Sequence, residues 1–82
     1  MYFVYVLKSA KDQQLYIGFT VDVKRRIQKH NSGSVPSTKH RRPLELIFFE
    51  GYKIKGDALR REKYFKTTAG KRALKIMLKN SI

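Results

Sequence analysis

Six consecutive residues with no charged or small polar break, Tyr2-Phe3-Val4-Tyr5-Val6-Leu7, constrain the fold more than any other stretch of this chain. They are β-branched, aromatic or leucine, so they read as a strand, and with no polar alternation that strand must be covered on both faces. Leu15–Phe19 is the returning strand, reached through a polar turn at Ser9–Gln13 that contains Asp12. Gly18, near the end of that strand, marks a bulge or a close approach to the backbone. Thr20 or Asp22 can cap a helix running to about His30, which Asn31-Ser32-Gly33-Ser34 terminates. Val35–Arg42 is a polar, basic loop. Pro43 precedes a third strand, Leu44–Glu50, and Gly51–Gly56 is a connector. Asp57 opens a helix through about Lys66, and a last helix spans roughly Ala69–Lys79. The order ββαβαα predicts an α/β (α+β) fold, a small, mainly antiparallel sheet with about three helices packed on it. Residues 1–82 are expected to form one domain.

Charge narrows the partner. Nineteen Lys and Arg stand against six Asp and Glu, a formal net charge of +13. Such a field favours nucleic acid, bound by neutralising phosphates and releasing counterions. Basic proteins also reach membranes, but usually through an amphipathic basic segment or a lipid anchor, whereas here the charge is spread along the chain. No apolar run is long enough to span a bilayer, so a cytoplasmic location is expected. Cysteine is absent, which excludes disulfides, thiolate metal sites and a cysteine nucleophile.

On a helical wheel Val23 and Ile27 mark the core face of the first helix. Arg26 and His30 fall beside that stripe, while Lys24, Arg25, Gln28 and Lys29 point elsewhere. In the second helix Ala58, Leu59 and Phe65 form the apolar arc, with Glu62 inside it. A half-buried guanidinium and carboxylate must be paired, coordinated or used, so an Arg26–Glu62 salt bridge is the plain structural expectation. The alternative is phosphodiester hydrolysis. That reaction needs an activated water, positive charge for the transition state and help for the leaving oxygen. Tyr5 and Tyr16 can meet across the first hairpin, and a phenol lowered by a nearby arginine and a metal could act as base or relay. Arg26 would clamp the phosphate oxygens in a planar fork. Glu62 would hold one hard cation, Mg²⁺ first and Mn²⁺ second. The remaining acidic residues, Asp12, Asp22, Glu45, Glu50 and Asp57, occupy turn, cap or strand-surface positions, which argues against a two-metal cage.

Phe3-Val4-Tyr5, ten intervening residues, Tyr16-Ile17-Gly18, then Arg26 and the helical Glu62 resemble the GIY-YIG nuclease domain over nearly the whole chain. Asp22-Val23-Lys24-Arg25-Arg26-Ile27, His30-Asn31-Ser32-Gly33, Arg41-Arg42-Pro43 and Ala58-Leu59-Arg60-Arg61-Glu62 are most similar to the small stand-alone, uncharacterised bacterial members. The resemblance implies a three-stranded antiparallel sheet flanked by helices, and one-metal endonuclease hydrolysis of DNA, a chemistry this superfamily uses in DNA repair among other roles. It makes Tyr5 and Tyr16 the catalytic pair, with Tyr5 the favoured base. It makes Arg26 the transition-state arginine, His30 an auxiliary polar residue and Glu62 the metal ligand. Phe3-Val4 stands where the family name has Gly-Ile, which removes backbone room but keeps the tyrosine. With little machinery for base readout, structure-selective rather than sequence-selective cutting is expected, with a protein partner as one source of specificity.

Each feature has a plainer reading. Tyr5 and Tyr16 can be ordinary strand aromatics, and His30 a helix-terminal residue held by the dipole. Lys71, Arg72, Lys75 and Lys79 share a face of the last helix opposite Ala73, Ile76 and Met77, and such a face is usually just solvated. Lys24 and Arg25, with the Lys39, Arg41 and Arg42 cluster, are the candidate phosphate contacts. The rival to a nuclease is a non-catalytic basic module for DNA or RNA, and a third reading is an accessory domain docking on an acidic protein.

Overall fold

The computed structural model describes all residues 1–82. Three strands, β1 (Tyr2–Ser9), β2 (Leu15–Thr20) and β3 (Leu44–Tyr52), form an antiparallel sheet in the order β2-β1-β3. Helices α1 (Val23–Asn31), α2 (Lys55–Phe65) and α3 (Thr68–Met77) complete the predicted ββαβαα order.

The central place of β1 follows from its sequence. Val4, Val6, Tyr5 and Leu7 are all essentially inaccessible, and they divide between the two sides of the sheet. Val4 and Val6 join Ile17, Ala58, Phe65 and Leu74 under α2 and α3. Tyr5 and Leu7 join Leu44, with Tyr16, Leu46 and Ile27 of α1, on the opposite side. Each fully buried aliphatic or phenylalanine side chain stabilises the fold by roughly 2 kcal/mol relative to exposure. A register irregularity opposite Val6 and Leu7 lets β3 contribute an extra residue and curl along the central strand.

The ends of several elements differ from the sequence expectation. β1 continues to Ser9 because Ser9, though polar, is buried and satisfied: its hydroxyl donates to the Arg41 carbonyl at 2.6 Å and accepts from the Lys11 and Asp12 amides. β3 runs on through Gly51 to Tyr52, where Phe3 and Tyr2 still offer partners. α2 begins at Lys55 rather than Asp57; Ile54 caps it without a side-chain hydrogen bond, so Asp57 lies inside the first turn. Asp22 is the cap of α1, accepting from the Arg25 amide at 3.1 Å. α3 is displaced from its expected bounds because Thr67 caps it, accepting from the Gly70 amide.

Two apolar faces also differ. Leu59 is 41% exposed, because α2 turns Ala58 and Phe65 inward and leaves Leu59 at the rim. Ile76 and Met77 are exposed, since Gly70 and Leu74, four residues apart, carry the buried side of α3.

The segment between α1 and β3 is not a free loop. It contains a turn of 3-10 helix at Lys39–Arg41, and Val35 and Thr38 are buried. Arg41 fastens it to the β1–β2 turn through Asp12 at 2.8 Å, and the Ala10 amide donates to the Pro43 carbonyl at 2.9 Å. The Arg42–Pro43 peptide is cis. This double fastening holds Thr38 against the inner side of α1.

Candidate active site

The site grows from the central hairpin. Tyr5 lies opposite Gly18 in the strand register, so the two share a face of the sheet. The Tyr5 ring occupies the space above Gly18: a Cβ there would overlap its terminal carbon and hydroxyl. The glycine is therefore a close-approach position and not a bulge. Tyr16 is on the same face with its ring centre 6.4 Å from that of Tyr5.

α1 crosses this face and delivers two side chains to the Tyr5 hydroxyl. Arg26 donates through Nε at 3.2 Å, and His30 Nε2 lies at 2.8 Å. The His30 ring packs edge-on against both tyrosines, 4.9 Å from Tyr16 and 5.7 Å from Tyr5. Its Nδ1 is 2.7 Å from the Thr38 hydroxyl. Tyr5, His30 and Thr38 are all sealed from solvent. Thr38 is the member of this group that the sequence reading missed. A hydroxyl in an apparently polar loop carries no periodic signal, and Val35 three residues earlier was the only local hint of burial.

Protonation follows from these surroundings. Burial raises the Tyr5 phenol above its ordinary value of 10.0, and the hydrogen bond and charge of Arg26 only partly oppose it. The expected lowering by arginine is thus present but outweighed by desolvation. The Tyr5 hydrogen bond raises Arg26 above its ordinary value against the opposing effect of burial, with smaller contributions from Tyr16, so the guanidinium is fixed in its charged form. Burial first, and the Arg26 charge second, push His30 down to about 4. At neutral pH His30 is a neutral imidazole, not a cation at a helix terminus.

The Arg26–Glu62 bridge does not form. Arg26 is taken by Tyr5, and Glu62 is held by Lys66 of its own helix at 3.2 Å. Glu62 sits on α2, which packs on the Val4 and Val6 side of the sheet, and it makes no hydrogen bond to Tyr5, Tyr16, Arg26 or His30; its negative charge is the smallest of the influences raising Tyr5. No cluster of three or more His, Cys, Asp or Glu side chains is present. The donors on hand fit a cation that takes one carboxylate and keeps its waters, as Mg²⁺ does, and do not fit a multi-ligand cage.

Arg26 also helps to line a groove of about 380 Å³, together with Thr20, Val21, Asp22, Arg25 and Lys29. It brings Arg25 next to Arg26 and adds Lys29; Lys24 is exposed on the same helix but does not line it. Of the predicted loop cluster, Lys39 and Arg42 are exposed, whereas Arg41 is committed to Asp12. That pairing holds the Asp12 carboxyl down at about 2. A larger concavity of about 460 Å³, lined by Tyr52, Asp57, Arg60, Arg61 and Tyr64, borders a different network. There Arg61 pairs with Glu50 at 2.7 Å and covers the Phe65 ring at 4.2 Å, away from the paired tyrosines.

A three-stranded antiparallel sheet with two facing phenols, a captive arginine and a cationic groove defines a nuclease-type domain. The chain belongs to the GIY-YIG family, whose catalytic-domain model matches residues 1–75. It is 43% identical over 77 residues to a UPF0213 protein of Staphylococcus epidermidis, covering 93% of each chain. It is 37% identical over 84 residues to a UPF0213 protein of Pediococcus acidilactici, covering 99% of this chain and 85% of that protein. The solution NMR structure of a UPF0213 protein from Bacillus halodurans superposes with a TM-score of 0.58 at 36% identity, over 94% of this chain and 85% of the other. The small stand-alone bacterial members are thus the relatives the sequence pointed to. No helix is long and apolar enough to cross a membrane.

Proposed function

We propose that this protein is a DNA endonuclease that uses one divalent cation, Mg²⁺ or Mn²⁺, and selects DNA by structure more than by sequence. The observation that carries this reading is the Arg26 guanidinium, held at 3.2 Å on the Tyr5 hydroxyl and opening onto a groove whose other cations are Arg25 and Lys29. A phosphodiester lying in that groove meets charge that needs no reorganisation during reaction.

In this scheme Arg26 binds two non-bridging phosphate oxygens and strengthens its hold as negative charge accumulates on them. Tyr16 relays a proton: its oxygen takes the proton of the attacking water as its own hydroxyl proton passes to solvent. We favour it over Tyr5 because Tyr16 is only half-buried, whereas the Tyr5 hydroxyl is enclosed, has two partners already and is raised by burial. Tyr5 then serves to orient Arg26. As the water oxygen bonds to phosphorus, the bond to the leaving sugar oxygen breaks, and that oxygen takes up a proton from solvent, which balances the one relayed out through Tyr16. Glu62 would hold the cation, which when bound supplies charge neutralisation and a more acidic water.

The three cationic residues lining the groove, Arg25, Arg26 and Lys29, suit phosphate contacts, which supports selection by shape. A second reading, a passive nucleic-acid-binding module, is favoured by the engagement of Glu62 with Lys66.

Cleavage of labelled duplex, single-stranded, flap and junction DNA in Mg²⁺, Mn²⁺ or EDTA tests the first against the second. Wild type should cut in metal and not in EDTA. Arg26→Ala and Glu62→Gln should each slow cutting on the order of a hundredfold or more while leaving most DNA binding intact. No cutting of any substrate, with salt-sensitive binding preserved, would establish the passive module.

A further inference from the structure

α1 covers only part of its face of the sheet. It lies over Leu7, Leu44 and Leu46 and reaches Tyr5. The other end of the same face carries Phe3, Gly51 and Phe49. Phe3 pairs with Gly51, and Phe49 pairs with Tyr5, so all four side-chain positions point the same way. Phe49 is 51% exposed. The Phe3 and Phe49 rings meet edge to face with centres 6.0 Å apart. Gly51 makes room for this arrangement: a Cβ there would come within 3.0 Å of the Phe3 ring. Where the family name has glycine on β1, this chain carries a phenylalanine and places a glycine across from it.

A single exposed aromatic residue on an edge strand needs no explanation. This shelf differs in its neighbour. Thr20, directly opposite Phe3 on β2, is also a wall of the groove that holds Arg25, Arg26 and Lys29. From Phe49 on β3 to Gly18 on β2 is two strand spacings, about 10 Å. Aromatic rings thus lie a nucleotide or two from the cationic groove, on the sheet face that carries Tyr5 and Tyr16. Rings that stack bases beside cations that follow the backbone are how single strands are held without sequence preference.

We propose that Phe49, supported by Phe3, stacks an unpaired base of a DNA strand whose phosphates run in the Arg25–Arg26–Lys29 groove. The inference rests on the DNA-directed reading above and adds to it a substrate class: DNA that is unpaired next to the bound phosphate. A paired base is held inside its own stack and cannot lie on the shelf.

Binding in EDTA of an oligodeoxythymidylate and of an abasic strand of equal length, followed by fluorescence anisotropy, tests it. Wild type should prefer the base-bearing strand by on the order of tenfold, the worth of one stacked base. Phe49→Ala, at an exposed position, should erase that preference and leave abasic binding unchanged. The chain has no tryptophan, so Phe49→Trp introduces a single reporter. It should retain the preference and be quenched by the base-bearing strand but not by the abasic one. Equal affinity of wild type for both strands, or a preference that survives Phe49→Ala, overturns the shelf. So does self-association that Phe49→Ala abolishes, which would assign the shelf to a second copy of this chain. If the abasic strand binds with steep salt dependence and the base adds nothing, only the shelf fails. If neither strand binds, the DNA reading fails with it.

Discussion

The Tyr5 hydroxyl and His30 Nε2 are 2.8 Å apart, and neither side chain is accessible to solvent. Since Arg26 Nε–H already donates to the Tyr5 oxygen, the phenolic proton is best used as a donor to His30 Nε2. That assignment leaves the imidazole proton on Nδ1, donating to Thr38. Burial of His30 as a neutral ring couples stability to pH. The folded form binds its proton only near pH 4, whereas an unfolded histidine titrates near its ordinary value of 6.5. Between those values the unfolded chain holds more protons, so stability rises with pH and is lost as pH falls. Urea unfolding should show a loss on the order of 3 kcal/mol from pH 7 to pH 4 attributable to this group. In His30→Gln the dependence over this window should be much flatter. An unchanged slope in the variant would show that His30 is not held neutral.

Thr38 completes the chain of hydrogen bonds and makes a separable prediction. Thr38→Val keeps the shape but removes the acceptor 2.7 Å from His30 Nδ1. A buried N–H left without a partner costs about 1–3 kcal/mol. Thr38→Ser should recover most of that loss. Nitrogen chemical shifts of the His30 ring read the tautomer directly: Nδ1 should be protonated in wild type and in Thr38→Ser. A predominantly Nε2-protonated ring in wild type would reverse the proton assignment.

The sequence made β1, the hairpin and the placement of Arg26 and His30 legible because each depends on local periodicity. Val4 to Leu7 announce a two-sided strand, and Arg26 and His30 are one turn apart on a capped helix. What stayed hidden depends on distant partners. Thr38 is buried because Arg41 reaches Asp12 and Ser9 reaches Arg41, contacts that span 29 and 32 residues. The wheel put Arg26 and Glu62 at half-buried positions but could not choose between a bridge and separate partners. Tyr5 won Arg26 because strand pairing fixes its ring over Gly18. Lys66 won Glu62 because it lies one turn away on the same helix. Asp57 resembles a helix cap in sequence, yet α2 starts at Lys55 because the backbone turns helical before it.

Gly18→Ala tests the room that Tyr5 needs. The added methyl group would overlap the Tyr5 ring, which cannot simply swing away while His30 and Arg26 hold its hydroxyl. Overpacking of this kind costs about 1–3 kcal/mol. Thermal unfolding should show that loss, and DNA cleavage should fall further than the fraction unfolded at the assay temperature. Full activity with unchanged stability would mean that the ring has freedom these contacts do not suggest.

Lys66 offers a way to separate the two roles open to Glu62. Its ammonium lies 3.2 Å from the Glu62 carboxylate and is more than half exposed, so it competes with any cation for that oxygen. An i,i+4 pair whose ammonium end is exposed contributes only about 0.3–0.5 kcal/mol, so Lys66→Met should change unfolding little. Removing the competing charge should instead lower the Mg²⁺ concentration needed for half-maximal cleavage, by roughly the severalfold factor that one screened charge at this distance represents. Glu62→Gln should remove the effect of Lys66→Met altogether, because the two substitutions then act on the same oxygen. If Lys66→Met leaves the Mg²⁺ requirement unchanged while Glu62→Gln abolishes cutting, Glu62 acts at the reaction without holding the metal. If both variants cut like wild type, the carboxylate is a helix-surface partner of Lys66 and the cation is bound elsewhere.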